Sequence, residues 1–357
     1  MGTSTKSIIL VAILFFLLFS SSISSRQQFL KVIKHYLPEE DTPFFKIAND
    51  VEIIDDLILV LENIKNHVLS YSINNSDRLI FKGFFIGKGQ GPGETVLPTQ
   101  MSVWDDKLTI IDSLGCSIFS KEGKFLNKFR IFTGKISFVF TANKIYIASK
   151  NPNSSFLIDV YSLEGKKLFQ FGENLLPVDY EINKNLNRGF VKSIFYNGKL
   201  VADAGKIYFF SNLFGKVFVF DLEGKNLETK NIASYFDPQI STKNLEGNNN
   251  MIKNGIKPVK YENGSQGVSY FNFFDDIYLC NNKIYILNSM SESKARPHIT
   301  IRVLDKDSLE LINTLLIKKN SDEDMIRCLA VKEENGKVVI IAAMETMEGT
   351  EIAKFME

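Results

Sequence analysis

A short pattern recurs six times along the chain and limits the possible folds more than any other feature. Each copy is a pair of turn-forming residues followed by a run of apolar residues with high β propensity. Asp, Asn and Gly tolerate positive φ angles, so these pairs suit tight hairpins between antiparallel strands. The copies are Asp55–Val60, Asp106–Ile111, Asn143–Ala148, Gly205–Phe210, Asn282–Leu287 and Gly336–Ile341. The pattern predicts six similar β-rich units.

A second element follows the first in most units: a strand that ends in a turn of the form Glu-Gly-Lys. It is present in Ile118–Lys124, Val160–Lys166 and Phe218–Lys225, and without the glycine in Leu69–Asn75 and Val303–Leu309. A further strand follows the turn, so each unit has four antiparallel strands, which is the composition of a propeller blade. A β-sandwich is the alternative for any chain of short strands. The sixfold recurrence of one unit favours an all-β, six-bladed propeller.

The spacing of the copies predicts the blades and their insertions. The shortest step, 37 residues from Leu108 to Ile145, is close to a bare blade of about 40 residues. Longer steps therefore carry insertions. The blades are expected at approximately 45–85, 96–132, 135–172, 190–232, 270–318 and 322–357.

Closure of the ring needs a strand from outside the sixth unit. The last residues, Ile352–Glu357, match a third strand, so the outermost strand of that blade is missing. The segment 28–36, centred on Phe29–Lys34, is expected to supply it and so to remove an exposed edge.

The N-terminus has the pattern of a signal peptide. Lys6 precedes an apolar run, Ile8–Phe19, and small polar residues follow. Ser22-Ile23-Ser24 fits the small-x-small rule, which places the cut after Ser24. The run is shorter than the about 20 apolar residues of a membrane span. We therefore expect residues 1–24 to be removed and 25–357 to form a propeller outside the cytoplasm, in the periplasm, at the cell surface or secreted. A retained membrane anchor is the alternative.

Charge and histidine content exclude some classes of function. Lys and Arg number 42 against 41 Asp and Glu, so there is no basic footprint for nucleic acid. His35, His67 and His298 are scattered and lack the spacing of metal ligands. From the charge balance and the scattered histidines, we expect no catalytic group and no cofactor. A monomeric binding protein is favoured over an enzyme.

Three cysteines are too few for a disulfide framework, and an odd number cannot pair completely. We expect Cys116, Cys280 and Cys328 to be small buried residues. A bridge between Cys280 and Cys328 is the alternative, because both lie near inner strands of neighbouring units.

Acidic residues are expected to form turns. The pairs Asp55-Asp56 and Asp275-Asp276 flank strands, and Asp221 and Asp305 end third strands. The expected inner strands are mostly apolar or hydroxylic: Met101–Val103, Ser137–Val139, Leu200–Ala202 and Cys328–Ala330. Asp276 is the one carboxylate expected among them, and a lone carboxylate is a poor site for Ca²⁺, which takes 6–8 oxygens. We therefore expect an apolar channel without a metal, with Asp276 as a weak candidate ligand.

A Gly-rich stretch, Phe85–Glu94, lies between the first two units and ends in Gly-Pro-Gly-Glu. It resembles the signature of a bacterial six-bladed propeller family related to NHL repeats, many of whose members are exported. Thr95 stands where that family has an aromatic residue. The resemblance implies the fold and export, and little about activity. From the residues alone, the glycines and proline predict a sharp turn. An anion-binding nest of backbone amides beside Lys88 is the alternative.

Long connections between blades are expected on one face, which we predict to be the functional one. They are Gly87–Glu94, Asn174–Asn197 and Thr229–Phe273. In the second long insertion, Asn248–Asn250 and Asn263–Gly267 are expected to be mobile, and loops of this length are either binding lids or disordered. Candidate ligand-binding residues on these connections are Arg188, Phe190, Tyr270, Lys88 and Gln90. The guanidinium of Arg188 suits carboxylate or phosphate groups, and the two aromatic residues could stack on a ligand.

The expected partner is a protein, a peptide or a glycan. The alternative is a lactonase-like hydrolase or lyase. Enzymes of that kind resemble this fold and hold a divalent metal in the channel with acidic and amide side chains.

Overall fold

The computed structural model describes residues 26–36, 47–62, 66–73, 79–131, 137–141, 143–148, 156–173, 197–253, 259–260, 266–267, 272–288, 296–347 and 349–357. The predicted signal segment, residues 1–24, lies outside them. Within these ranges no helix is long and apolar enough to cross a membrane. The secondary structure is almost entirely β.

Six antiparallel sheets form the blades. Two N-terminal strands come first: β1 (Arg26–Phe29) and β2 (Lys31–Tyr36). Blade 1 has β3 (Ala48–Ile54), β4 (Leu57–Glu62), β5 (His67–Ile73), β6 (Leu79–Lys88) and the short β7 (Glu94–Thr95). Blade 2 has β8 (Gln100–Trp104), β9 (Lys107–Asp112), β10 (Gly115–Ser120) and β11 (Phe125–Phe129). Blade 3 has β12 (Phe138–Thr141), β13 (Lys144–Ala148), β14 (Ile158–Ser162) and β15 (Lys167–Phe171).

The second half of the ring carries the largest described insertion. Blade 4 has β16 (Gly198–Ala202), β17 (Lys206–Ser211), β18 (Lys216–Asp221) and β19 (Asn226–Asn231). A 3-10 helix (Ala233–Tyr235), α1 (Pro238–Lys253), β20 (Val259–Lys260) and β21 (Gln266–Gly267) follow. Blade 5 has β22 (Phe274–Cys280), β23 (Lys283–Asn288), β24 (His298–Asp305) and β25 (Leu311–Lys318). Blade 6 has β26 (Met325–Glu334), β27 (Lys337–Thr346) and β28 (Gly349–Met356).

The first strand of each blade faces the centre, and these six inner strands contact one another in ring order, with β26 returning to β3. The hydrophobic cores lie between neighbouring blades; one joins blades 3 and 4, and another joins blades 5 and 6. This arrangement confirms the six-bladed propeller with four-stranded blades.

The recurring polar pairs are the hairpins between the first and second strands. In five of the six hairpins, the first residue of the pair or the residue immediately before it adopts the left-handed conformation that Asn and Asp tolerate best among residues with a side chain. The φ angles are 51° at Asp55, 56° at Asp105, 62° at Asn143, 52° at Asn281 and 53° at Asn335. The backbone of the hairpin therefore explains the pattern seen in the sequence.

The Glu-Gly-Lys turns of blades 3 and 4 pack each of these blades onto the preceding one. Gly165 has φ 82° and Gly224 has φ 88°, and a Cβ at either position would overlap an aromatic ring of the preceding blade, Phe129 or Phe171. Glycine is required at both positions by the backbone and by this close approach. Asp221 closes its turn by accepting the amide of Lys225 at 2.8 Å, as predicted for a turn cap.

The two ends of the chain meet at blade 6. Strand β2 pairs antiparallel with β28, from Lys31 opposite Met356 to Tyr36 opposite Ile352. This confirms the predicted N-terminal closing strand. Strand β1 also adds in parallel to β25 of blade 5, which the sequence did not predict. The N-terminal segment therefore holds two blades together.

The second insertion contains an ordered helix where a mobile loop was expected. Asn248 is 1% exposed, and its side-chain amide donates to the Leu213 carbonyl at 2.9 Å. Asn244 donates to the Asn272 carbonyl at 3.2 Å. The expectation for Asn248–Asn250 was wrong because the asparagines hold α1 to the blade through buried hydrogen bonds.

The Gly-Pro-Gly-Glu stretch forms the predicted sharp turn. The carboxylate of Glu94 folds back and accepts the Gly91 amide at 2.8 Å, and a Cβ at Gly89 would overlap that carboxylate. The alternative, a nest open to an external anion, is therefore wrong, because the carboxylate of Glu94 already occupies the turn.

All three cysteines are free, so the alternative of a Cys280–Cys328 bridge is wrong. Cys116 and Cys328 are buried, as expected, whereas Cys280 is partly exposed.

Candidate functional site

The central channel opens into a cavity of about 390 Å³ where the inner strands begin. All six inner strands or the residues just before them contribute to its lining. The connections between blades end on this same side, which we call the mouth. The polar lining residues are Asn49, Asp50, Thr99, Gln100, Ser137, Asn197, Lys199, Asn212, Asp275, Asp276, Arg327 and Cys328.

One residue from each inner strand, or in blade 3 from just before it, forms a ring at the base of the mouth. We call this ring the girdle; it consists of Asp50, Gln100, Ser137, Lys199, Asp276 and Cys328. In four blades the girdle side chain accepts a backbone amide from the inner strand of the next blade. The amide donors are Met101 to Asp50 (2.7 Å), Phe138 to Gln100 (3.2 Å), Leu200 to Ser137 (2.6 Å) and Leu329 to Asp276 (2.9 Å). The girdle thus joins neighbouring blades around the channel.

Lys199 departs from this pattern because its side chain is a donor. Its ammonium group makes an ion pair and hydrogen bond with the carboxylate of Asp276 in the next blade. Asp276 is 3% exposed and also accepts the amide of Ile277 at 2.9 Å. The acceptor capacity of Asp276 is therefore largely used inside the protein.

Two further carboxyl groups lie near this pair. Asp50, 5% exposed, accepts the amide of Val51 at 3.1 Å besides that of Met101. Glu52 lies deeper in the channel and accepts the hydroxyl of Tyr278 at 3.1 Å. We call Asp50, Glu52, Lys199 and Asp276 the channel cluster. It holds three acids and one base.

Burial and the neighbouring carboxyl groups raise the pKa values of Asp50 and Glu52. Burial raises the pKa of Asp50 to about 7, although the Lys199 ammonium opposes the shift. Burial, and then repulsion from Asp50, raises the pKa of Glu52 well above its ordinary value. Burial by itself lowers the pKa of Lys199, but Asp276 and Asp50 outweigh it and hold that pKa above its usual range. Lys199 therefore carries its positive charge at neutral pH.

Three inner strands bulge immediately before their girdle residue. The pairing register shifts between Ala48 and Asp50 in blade 1, and the bulged residue is Asn49. Equivalent bulges occur at Asp275 and at Arg327. A bulge redirects a side chain, and all three bulged residues line the mouth. Arg327 also binds Glu345, with Nη2 2.9 Å from Oε2 and Nε 2.8 Å from Oε1.

The expected apolar channel is wrong. Asp276 lies on an inner strand, as expected, but it is accompanied by Asp50, Glu52 and Lys199, which were not expected there. Among the described residues, no group of three or more His, Cys, Asp and Glu is placed to hold a metal ion. The alternation of Asp50 and Glu52 around the apolar Val51 was the signal for a channel-facing edge.

The sequence-predicted binding residues are not brought to the mouth by the described structure. Arg188, Phe190 and Tyr270 lie outside the described residues. Lys88 ends β6, and Gln90 lines a separate cavity of about 400 Å³ beside Lys128 and Arg130. The described lining of the mouth comes mainly from the inner strands, their bulges and the residues just before them.

Comparison with known proteins supports the fold alone. No protein-family model and no curated protein matches the chain. Among solved structures, a Bacteroides fragilis protein thought to be exported is 12% identical with a TM-score of 0.53, over 93% of this chain and 98% of that one. A streptogramin B lyase is 12% identical with a TM-score of 0.45, over 91% of this chain and 86% of that one.

An extracellular domain from B. thetaiotaomicron is also 12% identical, with a TM-score of 0.42. The match covers 89% of this chain and 32% of that one.

Proposed function

We propose that the protein acts outside the cytoplasm as a binding propeller, which takes a peptide, a glycan or a segment of a protein partner into the mouth without catalysing its conversion. One observation carries this proposal: the mouth is an open polar cavity, while the charged groups at its base already satisfy one another. A ligand would meet hydrogen-bonding groups such as Asn49 and Thr99 at the walls.

The chemistry of the channel cluster supports binding over hydrolysis. Asp50 and Asp276 each accept two backbone amides, and Asp276 also binds Lys199. These carboxylates are fixed and occupied, whereas a nucleophile or base needs a lone pair directed at the substrate. The metal-dependent alternative fits the residues poorly as well, because the Lys199 ammonium lies where a divalent cation would need several oxygen ligands.

The location outside the cytoplasm rests on the N-terminal apolar run and on the fold. The sequence pattern of residues 1–24 is that of a signal peptide. The similar Bacteroides fragilis structure, whose whole length this chain nearly covers, is of a protein thought to be exported. Both observations support export of residues 25–357.

A pair of double variants tests the binding site. Arg327→Ala with Glu345→Ala removes one ion pair at the mouth. Lys206→Ala with Asp307→Ala removes a comparable pair, 3.2 Å apart, among the hairpins on the opposite side. The parent protein is screened on defined peptide and oligosaccharide arrays, and its ligands are then titrated into both variants by calorimetry.

We expect the mouth variant to lose affinity and the opposite-side variant to bind as the parent does. Unchanged affinity in the mouth variant, or loss confined to the opposite-side variant, would exclude the mouth as the binding site.

A Ca²⁺ titration distinguishes the binding protein from the alternative, a metal-dependent enzyme. Binding to the native state alone raises the melting temperature, so a saturable rise would favour the metal enzyme, and no rise is expected here.

A further inference from the structure

A cavity of about 400 Å³ lies between the Gly-Pro-Gly-Glu turn and β11, the outer strand of blade 2. We call it the β11 cavity. Its described lining residues are Gln90, Gly91, Pro92, Leu114, Phe125, Lys128, Phe129 and Arg130. None of them lines the mouth, so the two cavities are separate. The volume is in the range of about 300–1,000 Å³ that is usual for small-molecule sites.

Arg130 contributes a guanidinium group to this cavity that no other described residue occupies. Arg130 is exposed, and within the described ranges its side chain makes no hydrogen bond or ion pair. An arginine carries five N–H donors in a fixed planar fork, which matches the two oxygens of a carboxylate. Arg130 is therefore available to an anion from outside the protein.

Lys128 lies two residues before Arg130, so the two side chains share one side of the strand. The Lys128 ammonium donates to the Asp112 carboxylate at 3.1 Å and to the Glu94 carbonyl at 3.4 Å. An ammonium has three N–H donors, so one remains after these two contacts. Since Asp112 balances the charge of Lys128, Arg130 is the uncompensated cation of the described lining. One positive charge suits a carboxylate better than a phosphate group of nearly two negative charges.

The rest of the described lining is uncharged and largely apolar. The Glu94 carboxylate is turned onto the Gly91 amide at 2.8 Å, and neither Glu94 nor Asp112 lines the cavity. Phe125 and Phe129 are half-buried, and Pro92 is exposed. Apolar walls with a few polar groups are typical of sites for small organic ligands. The lining thus suits a molecule that has an apolar face as well as a negative charge.

The two cations are not required by the blade. Alignment of the outer strands on their common bulge gives the positions that correspond to Lys128 and Arg130 in the next two blades. These positions are Gln170 and Gly172 in blade 3, and Thr229 and Asn231 in blade 4. Neither blade has a cation there. The pair is therefore particular to blade 2, where the Gly-Pro-Gly-Glu turn supplies the other wall of the cavity.

We propose that the β11 cavity binds a small molecule that carries a carboxylate on a ring, an acidic sugar or an aromatic acid. The guanidinium of Arg130 pairs with the carboxylate, and Lys128 and the side-chain amide of Gln90 donate to its remaining acceptors. Phe125 and Pro92 pack against the ring. The site is separate from the mouth and goes beyond the proposed function, so either can fail without the other.

Glucuronate and phenylacetate are the probes, and glucose and phenylacetamide are their uncharged counterparts. Each is titrated into the full chain while the backbone amide signals of Gly91, Lys128 and the mouth residue Asn49 are followed by NMR. We expect saturable shifts at Gly91 and Lys128 with at least one acid and none with the uncharged counterparts. Binding of glucuronate alone would identify an acidic sugar, and binding of phenylacetate alone an aromatic acid. Shifts confined to Asn49 would place the ligand in the mouth and overturn the proposal.

Two variants make the test specific. Arg130→Gln should leave the melting temperature unchanged, because Arg130 has no partner among the described residues. It should weaken binding of the acid at least about tenfold, the effect of a hydrogen bond to a charged group. Lys88→Gln is the matched control, since Lys88 is an exposed cation next to the same turn that does not line the cavity, and it should bind as the parent does. No shifts with either acid, equal shifts with the uncharged counterparts, or full affinity in Arg130→Gln would overturn the proposal.

Discussion

Lys199 supplies the positive charge that balances the carboxyl groups of the channel cluster. Its ammonium lies among three carboxyl groups and pairs directly with Asp276, and its side chain is 20% exposed. Removing one partner of a buried pair leaves an uncompensated charge, which is far more costly than losing a surface pair. The girdle therefore makes the centre of the ring sensitive to a single substitution.

Lys199→Met should lower the free energy of unfolding by about 3 kcal/mol at neutral pH. The loss should shrink in acid, where the carboxyl groups can take up protons. Lys121→Met is the matched control, because Lys121 pairs with Asp55 at the surface at 3.3 Å and should cost less than about 1 kcal/mol. Urea unfolding of both variants measures the difference, and equal losses would contradict a coupled channel cluster.

Asp50 should titrate near neutral pH. Its pKa rises from 3.8 to about 7 on folding, so between these values the folded protein holds a proton that the unfolded chain has lost. The contribution of Asp50 to stability is thus fully present below about pH 4 and declines as the pH rises toward 7.

Carboxyl-carbon NMR measures this titration directly. Asp276→Asn should lower the midpoint of Asp50, since the Asp276 charge raises it, and Lys199→Met should raise it. A midpoint for Asp50 near 4 in the parent protein would show that the girdle is more hydrated than the geometry indicates.

At the scale of the strand and turn, the glycine turns pack one blade against an aromatic ring of the preceding blade. Gly165 and Gly336 both have positive φ angles, 82° and 74°. A Cβ at Gly165 would overlap Phe129, whereas a Cβ at Gly336 meets nothing within 4 Å. The two positions share the backbone requirement and differ in the aromatic contact.

Gly165→Ala should therefore cost more than Gly336→Ala. The left-handed backbone alone costs about 1–2 kcal/mol for a residue with a Cβ, and overpacking against the ring adds about 1–3 kcal/mol. Thermal and urea unfolding of the two variants gives the difference. If Gly165→Ala is no worse than Gly336→Ala, the ring contact does not lock the blades.

The sequence predicted the elements whose residue types are dictated by local geometry. Hairpins at Asp55 and Asn143 were predictable because few residues accept their φ angles. The girdle was not predictable, because its contacts join residues 38 or more positions apart, as from Gln100 to Phe138. Lys199 was also hidden, since Asn197-Gly198-Lys199 has the composition of a turn and only the ring places it on an inner strand.

At the scale of the whole molecule, the ring is closed by its own N-terminal segment. Strand β2 completes blade 6, and β1 adds to blade 5, so the segment of 26–36 spans the junction where no hairpin connects the blades. Closure removes the exposed edge that blade 6 would otherwise have.

A disulfide between the paired ends tests this closed ring most directly. Lys31 and Met356 lie opposite each other in the β2–β28 pair, so Lys31→Cys with Met356→Cys should form a bond under mild oxidation. A cross-link that closes a loop of about 300 residues should raise the free energy of unfolding by up to about 5 kcal/mol in the chain-entropy account. The reduced double variant is the control. The account predicts a cross-linked monomer that melts well above its reduced form; thiols that stay free, or a bond that leaves the melting temperature unchanged, would contradict closure by the N-terminal strand.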